Sequence, residues 1–348
     1  MRFSRKEAWG VLLHKGARVL LAALVALFVL WPWLPGVSAI PTRTLVLYGF
    51  SILGEVMNQS VFPAFQADWL ARTGERVELI SSFASSGTIT NQMILGVPAE
   101  AAILSLELDA LRLVQAGTLP RETWKLLPFA GVLNRTPFII LVRPGNPKGI
   151  ADFSDLTRPG VGVVHPDPLT SGGAQWAILA EYYSALLATG DEQRAYDQLL
   201  GVWNNVVAQA SSARAARTQF ENGFGDALIT YEQEALRDRA LGKLNADIVY
   251  PASTILSEHI VVVLDKNVKP DQRAVVDAFV DFLWGETAQR LFTQYGFRSV
   301  HDQLNVENPD FGLIQRPFIV DELGGWPRAK QDIIDAIWKQ RVLVEAGS

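Results

Sequence analysis

Ten residues, Asp167-Pro168-Leu169-Thr170-Ser171-Gly172-Gly173-Ala174-Gln175-Trp176, combine the residue types that hold an anion without lending it a countercharge. They follow the glycine-flanked apolar run Gly160-Val161-Gly162-Val163-Val164, which reads as a buried strand, and they lead into an apolar-periodic helix over 174–189. A strand, a Ser-Gly-Gly turn and a helix start make an anion cradle. Glycines let backbone N–H groups approach a guest, and the first helical turn leaves donors unpaired and partly positive. Three further stretches share this chemistry. Ser81-Ser82-Phe83-Ala84-Ser85-Ser86-Gly87-Thr88 follows a strand and opens a helix, as does Ala210-Ser211-Ser212-Ala213-Arg214-Ala215-Ala216-Arg217, and Tyr48-Gly49-Phe50-Ser51 follows the first strand. One such turn is ordinary loop chemistry or an N-cap. Four of them at the C-terminal ends of strands line the crevice where open α/β sheets bind ligands.

The elements that must position these turns alternate along the chain. The pattern predicts strands over 44–49, 77–80 and 101–106, and helices over 54–73, from about 86 to 95, and over 108–115 with an end at Gly117. Strands alternating with helices imply an α/β fold with mostly parallel sheets covered on both faces. The apolar strand 137–142 is broken by Arg143-Pro144-Gly145-Asn146-Pro147, after which the alternation restarts from Ile150. A second apolar strand over 259–264 ends at Asp265-Lys266. Read as crossings, these two strands divide the chain into two lobes. Lobe one holds 40–138, lobe two holds 139–262, and 263–348 returns to lobe one and adds C-terminal helices. Bending is expected near Val142–Arg143 and Leu264–Asp265. No internal repeat or low-complexity segment interrupts the pattern.

Composition narrows the function classes. The 348 residues carry a formal net charge of −5, and the only basic cluster (Arg2, Arg5, Lys6, Lys15 and Arg18) precedes the apolar stretch 19–30. That stretch leads through Trp31-Pro32-Trp33-Leu34-Pro35-Gly36 to Val37-Ser38-Ala39, a small-x-small site, so 1–39 reads as a secretory signal peptide cut after Ala39, with an uncleaved membrane anchor as the alternative. The rest of the chain is acidic and has no basic run, which argues against nucleic acid as a partner. There is no cysteine, so disulfides and a lipid-bearing N-terminal cysteine are both excluded.

Other chemistries lack their residues. The histidines at 14, 165, 259 and 301 include no pair at metal-ligand spacing, so no metal and no cofactor is expected. His165 precedes Pro166 beside the central turn and reads as a satisfied loop histidine or a lining residue. Gly223-Phe224-Gly225 lacks a third glycine and precedes a strand, which speaks against a dinucleotide site. No Gly-x-Ser-x-Gly elbow or nucleophile–base pair supports an enzyme. Trp176, Trp203 and Trp284 sit on apolar helix faces and read as core.

Ordered motifs carry a family resemblance. Ser86-Gly87 lies in the second turn, and Val142-Arg143-Pro144-Gly145-Asn146-Pro147-Lys148 and Pro159-Gly160-Val161 follow. Next come Thr170-Ser171-Gly172-Gly173-Ala174-Gln175-Trp176, Ser212-Ala213-Arg214 and Gly225-Asp226-Ala227-Leu228-Ile229. Glu232-Gln233-Glu234-Ala235-Leu236 and Gly324-Gly325-Trp326 complete the series. In these motifs the chain resembles the sulfate-binding members of the periplasmic solute-binding proteins, two-lobed receptors that feed ABC importers. The resemblance implies a two-lobed periplasmic-binding-protein fold of type II, a periplasmic location, a monomer, and partners consisting of an inorganic oxyanion and the importer's membrane subunits. It also implies that sulfate is held between the lobes by neutral donors. By motif these are Ser51, Ser85, Ser86 with its hydroxyl, Gly87, Ser171, Gly172, Gly173, Ala213 and Tyr231, with Arg214 in support of the loop. The chain departs from the family at three points: Ser51 stands where the family has Asp, Tyr231 where it has Trp, and Thr88 where it has Lys.

The neutral donors bear on ligand choice. Phosphate keeps a proton at neutral pH and needs an acceptor, and the only carboxylate within the four turns is Asp167, on the side of its loop away from the helix. A proton aimed at N–H donors wastes about 1–3 kcal/mol per unpaired group, so a fully ionised oxyanion is favoured. Thiosulfate, a small sulfonate, molybdate or tungstate remain alternatives to sulfate. A membrane-tethered anion sensor built on the same fold is a further alternative, supported by the Trp-rich segment 19–34.

Overall fold

The computed structural model describes residues 20–30 and 42–347. The expected signal peptide therefore lies outside the described residues except for 20–30, a helix whose apolar side chains are exposed. Among the described residues no helix is long and apolar enough to cross a membrane.

Among the described residues eleven strands form one curled sheet whose main path runs β2 (Arg76–Ala84), β1 (Thr42–Phe50), β3 (Ala101–Leu104), β9 (Ser253–Val263), β4 (Val132–Val142), β7 (Ala227–Tyr231), β5 (Val163–Pro166) and β6 (Val206–Ala210). The short strands β8 (Asp247–Val249) and β10 (Arg298–Ser299) pair with β4, and β11 (Arg316–Phe318) pairs with β9. The first half-sheet pairs β1 in parallel with β2 and β3, and the second pairs β5 in parallel with β6 and β7. The antiparallel pair β4–β9 joins them.

Both joining strands are eleven residues long, and β4 is buried along nearly its whole length, with Asn134, Arg135 and Thr136 interrupting an otherwise apolar run. Each strand serves both halves. Residues 132–137 of β4 face β9, whereas Phe138 to Val142 face β7. The handover falls at Pro137, where the missing N–H costs no ladder bond to the new partner. The strand thus begins five residues before the expected 137 and changes partner within its length. Arg143, expected near a bend, is instead tied to the second half: its N–H donates to Asp226 O, and its guanidinium donates to Phe220 O and Gly225 O.

Helices cover both faces. The helix Gly172–Thr189 is buried almost all round, which matches its uniformly apolar sequence. It lies between the sheet and the helix Glu192–Asn204, with the C-terminal helical run 325–346 beside it. Trp176 stacks edge-on against Trp326 at 4.4 Å and Trp203 against Trp338 at 5.1 Å, so the C-terminal run packs on the two helices that cover the second half-sheet. The helix Arg273–Trp284 returns to the first half, where Phe279 meets Phe62 and Phe65. Trp176, Trp203 and Trp284 are all buried.

Candidate anion-binding site

Where the strands of the two halves end, their turns meet around one small cavity. Its walls are Phe50, Ser51, Ser85, Ser86, Ser105, Ser171, Gly172, Gly173, Ser212, Ala213 and Tyr231, with no charged side chain among them. Its cavity volume is about 10 Å³, far below the roughly 300–1,000 Å³ of pockets that take drug-sized organic ligands. This cavity suits a small inorganic guest.

Four helical segments begin at it, and strand lengths set their position. β1 ends at Phe50 and the turn Ser51–Leu53 starts at once, anchored by buried Ile52 and Leu53. β2 runs to Ala84, so Ser81 to Ala84, expected as a turn, are strand, and Ser81 bonds to Asn58 away from the cavity. Ser85 then takes the N-cap position of the helix Ser86–Ile94 without a side-chain capping bond, its hydroxyl lying 2.6 Å from Thr88 Oγ1. After β5 the loop folds back on Asp167, whose carbonyl accepts from Thr170 N and Ser171 N at 3.1 and 2.8 Å and whose carboxylate accepts from Leu169 N at 2.9 Å. That loop delivers Ser171 as N-cap of a helix beginning at Gly172, two residues earlier than expected, so both glycine amides fall in the first turn. Ser212 caps the helix Ala213–Glu221, its hydroxyl accepting from Ala215 N at 3.1 Å. First-turn N–H groups have no intrahelical acceptor, and each helix end is equivalent to about half a positive charge. The Ser171 hydroxyl makes no capping bond, although the residue is buried, which leaves it available to the cavity.

Eight of the nine expected ligand residues surround this cavity. Gly87 does not: its N–H donates across the halves to Thr170 O at 3.2 Å, and a Cβ there would lie 3.0 Å from the same oxygen. It is a contact between the two halves, and the absence of a side chain lets the two backbones meet. Ser86 borders the cavity, but its hydroxyl donates to the buried Asp109 carboxylate and so, contrary to expectation, is not offered to the cavity. Burial raises the Asp109 pKa above the ordinary carboxylate range, against the lowering effect of the Ser86 hydroxyl and Arg112. Arg214 turns from the cavity and pairs with fully buried Glu234 at 2.7 Å; Arg217 joins the same carboxylate at 2.9 Å. Arg214 thereby braces the turn that carries Ala213. His165 is buried outside the cavity wall, between Pro166 O at 2.6 Å and Glu181 at 3.0 Å.

Phe50, Ser105 and Ser212 also line the cavity and were not anticipated as contacts. Ser212 lay inside a noted turn, and Ser105 follows β3 as Ser51 follows β1, so the same strand-then-serine signal could have found it. Tyr231, the last residue of β7, reaches the cavity with its hydroxyl 3.0 Å from Ser105 Oγ, and burial pushes that phenol well above its usual range. Among the described residues no cluster suited to a metal ion occurs.

Comparison with known proteins agrees with this geometry. Residues 55–298 match the family model described as bacterial extracellular solute-binding protein. The chain is 34% identical to the sulfate-binding protein of Salmonella typhimurium over 83% of this chain and 93% of that protein. It is 32% identical to the thiosulfate-binding protein of Pseudomonas aeruginosa over 71% and 74% of the two. The solved structure of the sulfate-binding protein from Mycobacterium tuberculosis aligns with a TM-score of 0.76 at 30% identity, covering 83% of this chain and all but 1% of that one. Two half-sheets joined by crossing strands, with helix starts converging between them, are the two-lobed periplasmic-binding-protein fold, and the chain belongs to the bacterial extracellular solute-binding proteins.

Proposed function

We propose that the protein is an extracytoplasmic receptor that captures sulfate between its two lobes and delivers it to an ABC importer, without chemical change. The observation that carries this reading is a small cavity with no charged side chain in its wall, on which four helix starts converge together with the Ser105 and Tyr231 hydroxyls. A small anion that keeps no proton satisfies such a site completely. Charge-assisted hydrogen bonds of this type are roughly twice as strong as neutral ones, and no buried countercharge needs desolvating. The naming of the Salmonella typhimurium and Mycobacterium tuberculosis relatives supports sulfate. In this reading lobe one comprises 40–138 with the return after 263, and lobe two comprises 139–262. The protein acts as a monomer in the periplasm, and 1–39 directs its export. Closure brings together Gly87 N with Thr170 O, Trp176 Nε1 with Ser105 O at 2.8 Å, and Tyr231 with Ser105. The importer's membrane subunits would recognise that closed form.

Thermal denaturation in a panel of oxyanions tests the ligand. A ligand at about 100 times its Kd adds about 2.7 kcal/mol to the folded state, enough to raise the melting temperature by several degrees. Sulfate is expected to raise it most, with methanesulfonate, molybdate and phosphate giving little. The thiosulfate-binding relative of Pseudomonas aeruginosa favours thiosulfate as a second reading, and a larger shift with thiosulfate than with sulfate would establish it. A panel with no shift at all would remove the receptor reading.

A further inference from the structure

Two hydroxyls on the cavity wall share a single hydrogen bond. Ser105 Oγ and Tyr231 OH lie 3.0 Å apart, and both residues are buried and border the cavity. Each hydroxyl carries one hydrogen and can also accept. One hydrogen bridges the pair, and the other has no acceptor among the described residues. Buried donors are almost always satisfied, so this remaining hydrogen calls for an acceptor in the cavity.

The pair is held on both sides. The Ser105 carbonyl accepts from Trp176 Nε1 at 2.8 Å, and its Oγ stands 2.8 Å from where a Cβ on Gly172 would sit. The Tyr231 ring is fixed by Phe138 at 4.6 Å and by His259 at 5.9 Å. Ser105 follows β3 in the first half and Tyr231 ends β7 in the second, so the bond exists only when the halves meet. Either hydroxyl could donate in this bond, and a phenol is ordinarily the more acidic donor, which favours the direction from Tyr231 to Ser105; each bond in such a chain polarises the next.

We propose that Ser105 is a further ligand-binding residue and that Tyr231 positions it, the phenol donating to Ser105 Oγ while the serine hydroxyl donates to the anion. This rests on the reading of the cavity as a sulfate site. It also gives the phenol at 231 a role through a neighbour rather than by its own reach.

Calorimetric titration with sulfate tests the assignment on wild type, Ser105→Ala, Ser105→Cys, Tyr231→Phe and the double variant Ser105→Ala/Tyr231→Phe. Ser105→Ala should weaken binding about 10- to 100-fold, the loss of one hydrogen bond to a charged partner. Ser105→Cys preserves the shape but has only a weak S–H donor, so it should lose nearly as much, which a packing role would not produce. Tyr231→Phe should lose less, and the double variant should bind about as weakly as Ser105→Ala alone. Losses that multiply in the double variant, or a Ser105→Ala protein that binds like wild type, overturn the relay. Wild-type protein that fails to bind sulfate overturns the reading of the cavity instead.

Discussion

Gly172→Ala is expected to weaken sulfate binding by one to two orders of magnitude while leaving the free protein as stable as before. A Cβ on Gly172 would lie 2.8 Å from Ser105 Oγ and 3.0 Å from both Ser105 Cβ and Leu106 Cγ. Those atoms belong to the first half-sheet, whereas Gly172 opens the buried helix of the second. The collision therefore arises only on closure. Overpacking of this kind costs about 1–3 kcal/mol, or roughly 5- to 150-fold in an equilibrium constant. Gly173→Ala makes the contrast. Its Cβ would meet Tyr231 OH at 2.9 Å, a contact within the second half, so this variant should also lower the melting temperature of the ligand-free protein. Calorimetry and thermal melts on the two variants separate the cases. An unchanged affinity in Gly172→Ala would mean that the halves do not close at this point.

Acid should destabilise the protein through His259. This residue sits in β9, fully buried against Phe50 at 4.5 Å, with Nδ1 2.6 Å from Asn134 Oδ1. Burial depresses its pKa from the usual 6.5 to about 3. Between those values the unfolded chain binds a proton that the folded protein refuses. The contribution is therefore fully present above about pH 6.5 and is lost as the pH falls toward about 3, at up to about 1.4 kcal/mol per pH unit. Denaturant unfolding at about pH 7, 5.5 and 4.5 should show this decline. His259→Gln, which keeps an amide to face Asn134 but cannot take up the proton, should decline less steeply. Equal slopes in both proteins would show that His259 is not the group responsible.

The sequence made the cavity legible because its chemistry is local. A helix start needs only a capping residue and the turn before it, and the turns carrying Ser51, Ser85, Ser171 and Ser212 are each written in a few consecutive residues. What escaped depends on contacts between distant segments. Gly87 reads as one more cradle glycine until Thr170 is seen to take its N–H from the other half. The Ser86 hydroxyl is drawn away by Asp109, which lies 23 residues along the chain on another helix. Ser105 lacks flanking glycines and shows its role only through Tyr231 and Trp176. The crossing strands were legible as apolar runs, but Pro137 concealed the true start of β4, since a proline inside a central strand is ordinarily a break. Here it marks the handover from β9 to β7.

Titration of the protein with sulfate by calorimetry at about pH 5 and about pH 8 tests the central claim most directly. Serine and tyrosine hydroxyls and backbone amides do not titrate across that range, and sulfate stays fully ionised, so one saturable site with nearly the same affinity at both pH values is expected. Phosphate at neutral pH should bind far more weakly, since no carboxylate in the cavity wall is there to accept its proton. Absent sulfate binding, a steep pH dependence, or phosphate binding as tight as sulfate would contradict a cavity built from neutral donors alone.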